Sequence, residues 1–156
     1  MRISKKVVLA WLALLAAILV VPVTRAHAQQ VAPGPHPEYL HALSDLRLAR
    51  AYLDQVTDPT VKDDANHAVG EIDKAINEIK QASIDDGKNL HDHPPIDSEI
   101  SPKGRFHKAL DLLRSAHADC AHAEDIPQAR GLRDRALGHI DNARDTVNNA
   151  ITRLKW

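Results

Sequence analysis

Apolar residues recur at three- and four-residue steps in four separate stretches of this chain, with no sustained alternation of the kind a half-buried strand requires. In the first stretch Tyr39, Ala42, Leu43, Leu46, Ala49, Leu53 and Val56 share one helical face, which predicts a helix from about Glu38 to Val56. Asp58-Pro59 then supplies an N-cap and a proline at the first helical position, opening a second helix with the stripe Val61, Ala65, Ala68, Ile72, Ala75, Ile76, Ile79. Ser101-Pro102 repeats that signal ahead of Phe106, Ala109, Leu110, Leu113, Ala116, His117 and Cys120. Asp125, followed by Pro127 and Gln128, resembles a capping box and starts a fourth stripe, Ala129, Leu132, Ala136, Ile140, Ala143, Val147, Ile151, Leu154.

Four amphipathic helices predict an all-α fold, a four-helix bundle with an aliphatic, alanine-rich core. The connections are unequal. Helices one and two, and helices three and four, are joined by a residue or two, whereas about 18 residues separate helices two and three, beyond the usual bundle loop. The expected architecture is two helical hairpins joined by a long crossover. At about 3.3 Å per extended residue the crossover can traverse the bundle, so the relative direction of helices two and three stays open.

Another apolar run, Val7 to Val23, has a different meaning. It follows Arg2, Lys5 and Lys6 and precedes Ala26-His27-Ala28, a small-x-small cleavage site. That is the layout of a secretory signal peptide, and Pro22 together with the cleavage site favours removal over retention as an anchor. The expected organisation is therefore a signal peptide at 1–28, a flexible Pro/Gly-containing lead-in at 29–37 and the bundle at 38–156. The mature protein is expected to be exported, periplasmic or secreted, with no stable membrane insertion after cleavage.

Cleavage changes the charge balance. The chain's formal charge of −1 becomes −5, because Arg2, Lys5, Lys6 and Arg25 leave with no acidic residue. A mildly acidic surface with only Tyr39, Tyr52, Phe106 and Trp156 as aromatics suits neither phosphate backbones nor base stacking, so nucleic acid is not an expected partner. Cys120, the single cysteine, can form no internal disulfide. The only methionine is Met1, which excludes thioether copper(I) or haem ligation in the mature protein.

The segment His36-Pro37-Glu38-Tyr39-Leu40-His41-Ala42-Leu43-Ser44-Asp45-Leu46-Arg47 resembles the opening of a family of small exported bacterial helical proteins of unassigned function. Ala75 to Lys80, Asp85 to Asn89 and Gly131 to Ala136 resemble later parts of the same pattern. The resemblance implies an exported helical domain and transfers no functional residue.

Histidine is the residue type in excess: His36, His41, His67, His91, His93, His107, His117, His122 and His139 all follow the cleavage site. Imidazoles from several helices can build a metal or haem site in a bundle. His41 with Asp45, His67 with Glu71 and His107 with Asp111 are spaced to share a helix face, as metal ligands or as ordinary surface pairs. If helices one and three run parallel, His41, Asp45, His107 and Asp111 converge, with His139 approaching from helix four, and the set suits zinc or copper(II). If helix three is reversed, His107 moves toward the level of His67. His117 and Cys120 lie on one face, where imidazole and thiolate could meet one ion, but they make only two ligands and read more simply as a hydrogen-bonded histidine beside a buried thiol. The crossover DDGKNLHDHPPIDSEIS, residues 85–101, is dense in oxygen and imidazole donors without EF-hand spacing.

No C-x-x-C-H, glycine-rich phosphate loop, G-x-S-x-G or H-E-x-x-H is present, which leaves an enzyme the least supported class. The sequence reads best as an exported helical-bundle binding or interaction module with an unknown protein or small-molecule partner. The rival reading is a divalent-metal-binding bundle, with non-covalent haem as a weaker variant.

Overall fold

The four stripes become four helices: α1 (Pro37–Asp54), α2 (Lys62–Ala82), α3 (Pro102–His122) and α4 (Pro127–Arg153). The structure, a computed structural model, describes residues 37–82, 88–122 and 127–156, without the side chains of residues 127 and 128. The expected signal peptide, nearly all of the lead-in, Asp85 and Asp86 of the crossover and the Asp125 cap lie outside the described residues. There is no strand among the described residues, and none of their helices is long and apolar enough to cross a membrane.

The helix starts follow from their caps. Asp58 Oδ1 accepts from Thr60 N at 2.9 Å and from the Thr60 hydroxyl at 2.7 Å, bonds that lower the Asp58 pKa. Val61 N donates to Asp58 O at 3.2 Å, so a tight turn leads into α2 and regular helix begins at Lys62. Ser101 Oγ accepts from Gly104 N at 3.2 Å, and Pro102 takes the first position of α3, where its missing N–H costs nothing.

The end of α4 carries a cap that the stripe did not announce. Trp156 N donates to Ile151 O at 3.0 Å and Lys155 N to Thr152 O at 3.2 Å, the paired bonds of a Schellman motif. Lys155 occupies its left-handed position, φ 54°, which glycine normally takes. The motif turns Trp156 back against Phe106 of α3, edge to face with ring centroids 5.5 Å apart.

Inside, Tyr39, Leu43, Leu46, Leu53, Ile72, Ile76, Ile79, Phe106, Leu113 and Ile140 are sealed from solvent, each large aliphatic contributing roughly 1.5–3 kcal/mol. Buried alanines on every helix (Ala42, Ala68, Ala109, Ala143 among them) set the close spacing between these layers.

Around the bundle the order is α1, α2, α4, α3, and the two diagonal pairs do not touch. The most extensive packing is α2 on α4 and α1 on α3, contacts between the hairpins rather than within them. Arg105, at the start of α3, donates to the Gln55 carbonyl just past the end of α1. Arg153, at the end of α4, pairs with Asp64 at the start of α2. All neighbouring helices are therefore antiparallel, and α2 and α3 run in the same direction across a diagonal. The crossover must return the full length of the bundle, and it does so along α1, where Lys88, Asp92, His93 and Pro94 line an open hollow of about 470 Å³ with Ser44 and Arg47. Lys80 Nζ donates to Lys88 O at 2.8 Å at one end and Arg105 Nη2 to Ser98 O at 2.8 Å at the other.

Candidate functional site

The antiparallel arrangement decides which of the candidate ligands meet. Asp119 of α3 lies in electrostatic reach of Glu38, His41 and Asp45 of α1, so His41 stands level with the C-terminal part of α3. His107 is twelve positions earlier in α3, about 18 Å down the axis. This is the reversed alternative, in which His107 approaches the level of His67, on the diagonal helix. His139, on α4, is separated from α1 by the other diagonal. The five residues His41, Asp45, His107, Asp111 and His139 are thus not brought together. No group of three or more His, Cys, Asp or Glu able to hold a metal ion occurs among the described residues.

His139 instead has a partner that the sequence reading assigned elsewhere. Its Nδ1 lies 2.7 Å from Glu71 Oε2 on α2, so Glu71 pairs across the α2/α4 interface and His67 stays exposed. Glu71 is only 6% exposed, and burial by itself raises its pKa. Hydrogen bonds from Lys74 (2.6 Å), His139 and Asn142 (3.3 Å) outweigh that and hold the carboxyl at about 2. The same interface carries a bidentate pair, with Arg135 Nε 3.0 Å and Nη2 2.8 Å from Glu78, which lowers the Glu78 pKa, and the Arg153–Asp64 contact. Glu71–His139 is therefore one link in a zipper of polar and ionic contacts joining α2 to α4.

His117 Nε2 faces Asp141 of α4 at 3.4 Å, while Cys120 is buried with its thiol pushed up to about 12, chiefly by burial and further by Asp119. Imidazole and thiol do not form a joint site. In the crossover, Asp92 Oδ2 accepts from Asn89 N at 2.8 Å and His93 Nδ1 donates to Pro94 O at 2.7 Å, so both side chains shape the turn.

Two of the sequence candidates, Asp45 and Asp111, do meet on one surface. They flank an open groove of about 280 Å³ between α1 and α3. Leu48, Tyr52 and Leu112 form its apolar floor, with Lys108 and Ser115 at the rim. Further along the seam stand Glu38 and His41 on α1 and Asp119 and His122 on α3, and the Asp119 pKa is raised first by burial and then by the Asp45 and Glu38 carboxylates. Asp119 is not singled out by the sequence, and His122 only as one imidazole among nine, because their place on the seam depends on α3 running antiparallel to α1. The available signal is spacing: Asp119 follows Leu112 by seven residues and His122 follows Asp111 by eleven, which returns each to the same helix face.

Compared with protein-family models, curated proteins and solved structures, the chain finds no match in any of the three.

Proposed function

We propose that this protein is an exported helical-bundle binding module whose binding surface is the α1/α3 seam. The observation that supports it is the groove: an apolar floor of Leu48, Tyr52 and Leu112 lies open between carboxylates on opposite helices. Such a surface combines area to bury with polar groups that orient what is buried. Its position on two rigid helices holds that chemistry in fixed register. Export rests on the charged start, apolar run and small-x-small site, and intact mass of protein recovered from the exported fraction checks it, with a mature chain beginning at Gln29 expected.

Amide-shift mapping of the mature protein with phenol and n-butylammonium as minimal apolar and cationic probes tests the surface. Concerted, saturable shifts at Asp45, Leu48, Tyr52, Leu112 and Ser115 are expected. Shifts confined to another face, or none at all, overturn the assignment.

A further inference from the structure

The helix interfaces differ in how they neutralise charge. On α2/α4, Asp64, Glu71 and Glu78 each meet a basic side chain across the interface. Arg50 pairs with Asp73 at 2.7 Å between α1 and α2, and His117 stands 3.4 Å from Asp141 between α3 and α4. Among the described residues no ion pair crosses the α1/α3 seam, although Glu38, Asp45, Asp111 and Asp119 all line it, against Lys108 in the groove and the imidazoles of His41 and His122 near Asp119. Asp111 has only Arg114 of its own helix, at 3.4 Å with both groups exposed.

The apolar and acidic parts of the seam are also spatially ordered. Opposed positions across α1 and α3, judged from Arg105 on Gln55, place Leu112 level with Leu48, Ser115 with Asp45 and Asp119 with His41. Asp45 therefore lies about 4.5 Å, and Asp119 about 10 Å, along the axis from the leucine floor. Those intervals match residues i+3 or i+4 and i+7 of a helix laid along the seam. A groove of about 280 Å³ accommodates one or two side chains rather than a whole cofactor.

We propose, building on the binding-module reading, that the α1/α3 seam accepts a cationic amphipathic peptide segment of a partner protein. One apolar side chain of the segment rests on Leu48, Tyr52 and Leu112, and its lysine or arginine groups meet Asp45 and Asp119.

A fluorescein-labelled 14-residue helical peptide with leucine at one position and lysine four and seven residues later tests this on the full mature protein. Its counterpart with glutamate for lysine is the charge control. Fluorescence anisotropy is expected to report saturable binding of the lysine peptide, weakened by 0.5 M salt, and none of the glutamate peptide. Asp45→Asn and Asp119→Asn are each expected to weaken binding about threefold, and Leu112→Ala by more, while Asp63→Asn on α2 leaves it unchanged. Circular dichroism confirms that each variant is folded. Absence of lysine-peptide binding, or equal binding by an Asp45→Asn/Asp119→Asn double variant, overturns the proposal. Amide-shift mapping separates the two failures: if the glutamate peptide or zinc chloride moves the seam signals and the lysine peptide does not, the seam remains a binding surface for another ligand. If no probe moves them, the binding surface itself is misassigned.

Discussion

At the residue scale, Glu71 and Cys120 show how burial and partners decide chemistry. Glu71 sits beside Ile72 within the apolar stripe of α2, so the sequence carried a sign that this carboxylate would be buried, but not that its partner would come from α4. An i, i+4 match to His67 was the nearer choice, and only packing sends His139 to it. Because the folded pKa, about 2, lies below the ordinary carboxylate value of 4.5, the stabilisation is present above pH 4.5 and is lost as pH falls toward 2. With Lys74 exposed and screened, its size is of the order of 2 kcal/mol. Urea titrations at pH 6, 4 and 3 should show Glu71→Gln less stable at pH 6, with the gap to the parent narrowing at pH 4 and further at pH 3; a gap independent of pH would contradict the carboxylate's role. Cys120, sealed and with its thiol raised to about 12, should stay unreactive toward a disulfide reagent at pH 8 until the protein is unfolded.

At the element scale, cap and stripe agree fully only at α3, where Pro102 follows the capping side chain of Ser101 and opens the helix. At α2, Asp58 and Pro59 mark the turn before the helix, which begins three residues later than their signal places it, at Lys62. The ends were less legible. The Schellman turn at Lys155 has no glycine to mark it, and Trp156 reaches Phe106 only because that turn exists. Lys155→Gly should stabilise the domain by about 1 kcal/mol in thermal unfolding, since glycine adopts φ 54° without the Cβ penalty. Gly104 gives the opposite case. Alanine is the better helix former, yet a Cβ there would collide with Ile100 Cγ2 in the crossover. Gly104→Ala should therefore destabilise, and Ile100→Ala in the same chain should recover the propensity gain of about 1 kcal/mol.

At the scale of the whole molecule, the sequence determined four helices and a crossover long enough for either topology, and nothing local could choose between them. Helix-face patterns specify which side is buried, not which neighbour covers it. The direction of α3 is carried by distant pairs, Arg105 with Gln55 and Phe106 with Trp156, which acquire meaning only once the bundle is assembled. For the same reason the seam half of the candidate set, Asp45 with Asp111, met while His107 did not. The crossover proves to be docked along α1 rather than merely a tether. Replacing His91, Asp92 and His93 together with alanine removes the Asn89–Asp92 turn bond and part of the lining of the hollow over Arg47. The expected cost is about 1–2 kcal/mol in denaturant unfolding, more than the 0.5 kcal/mol typical of an unattached surface loop.

The heavier packing between hairpins than within them makes the crossover a source of effective concentration. Each hairpin by itself exposes the apolar faces that α1 offers to α3 and α2 to α4, so neither has a core of its own to close. A protease cut inside the crossover would leave two chains of two helices each, held by the same buried surface but no longer by a shared backbone. Such a nicked protein should migrate as one particle at high concentration and melt at a temperature that falls with dilution, where the intact chain's midpoint is independent of concentration.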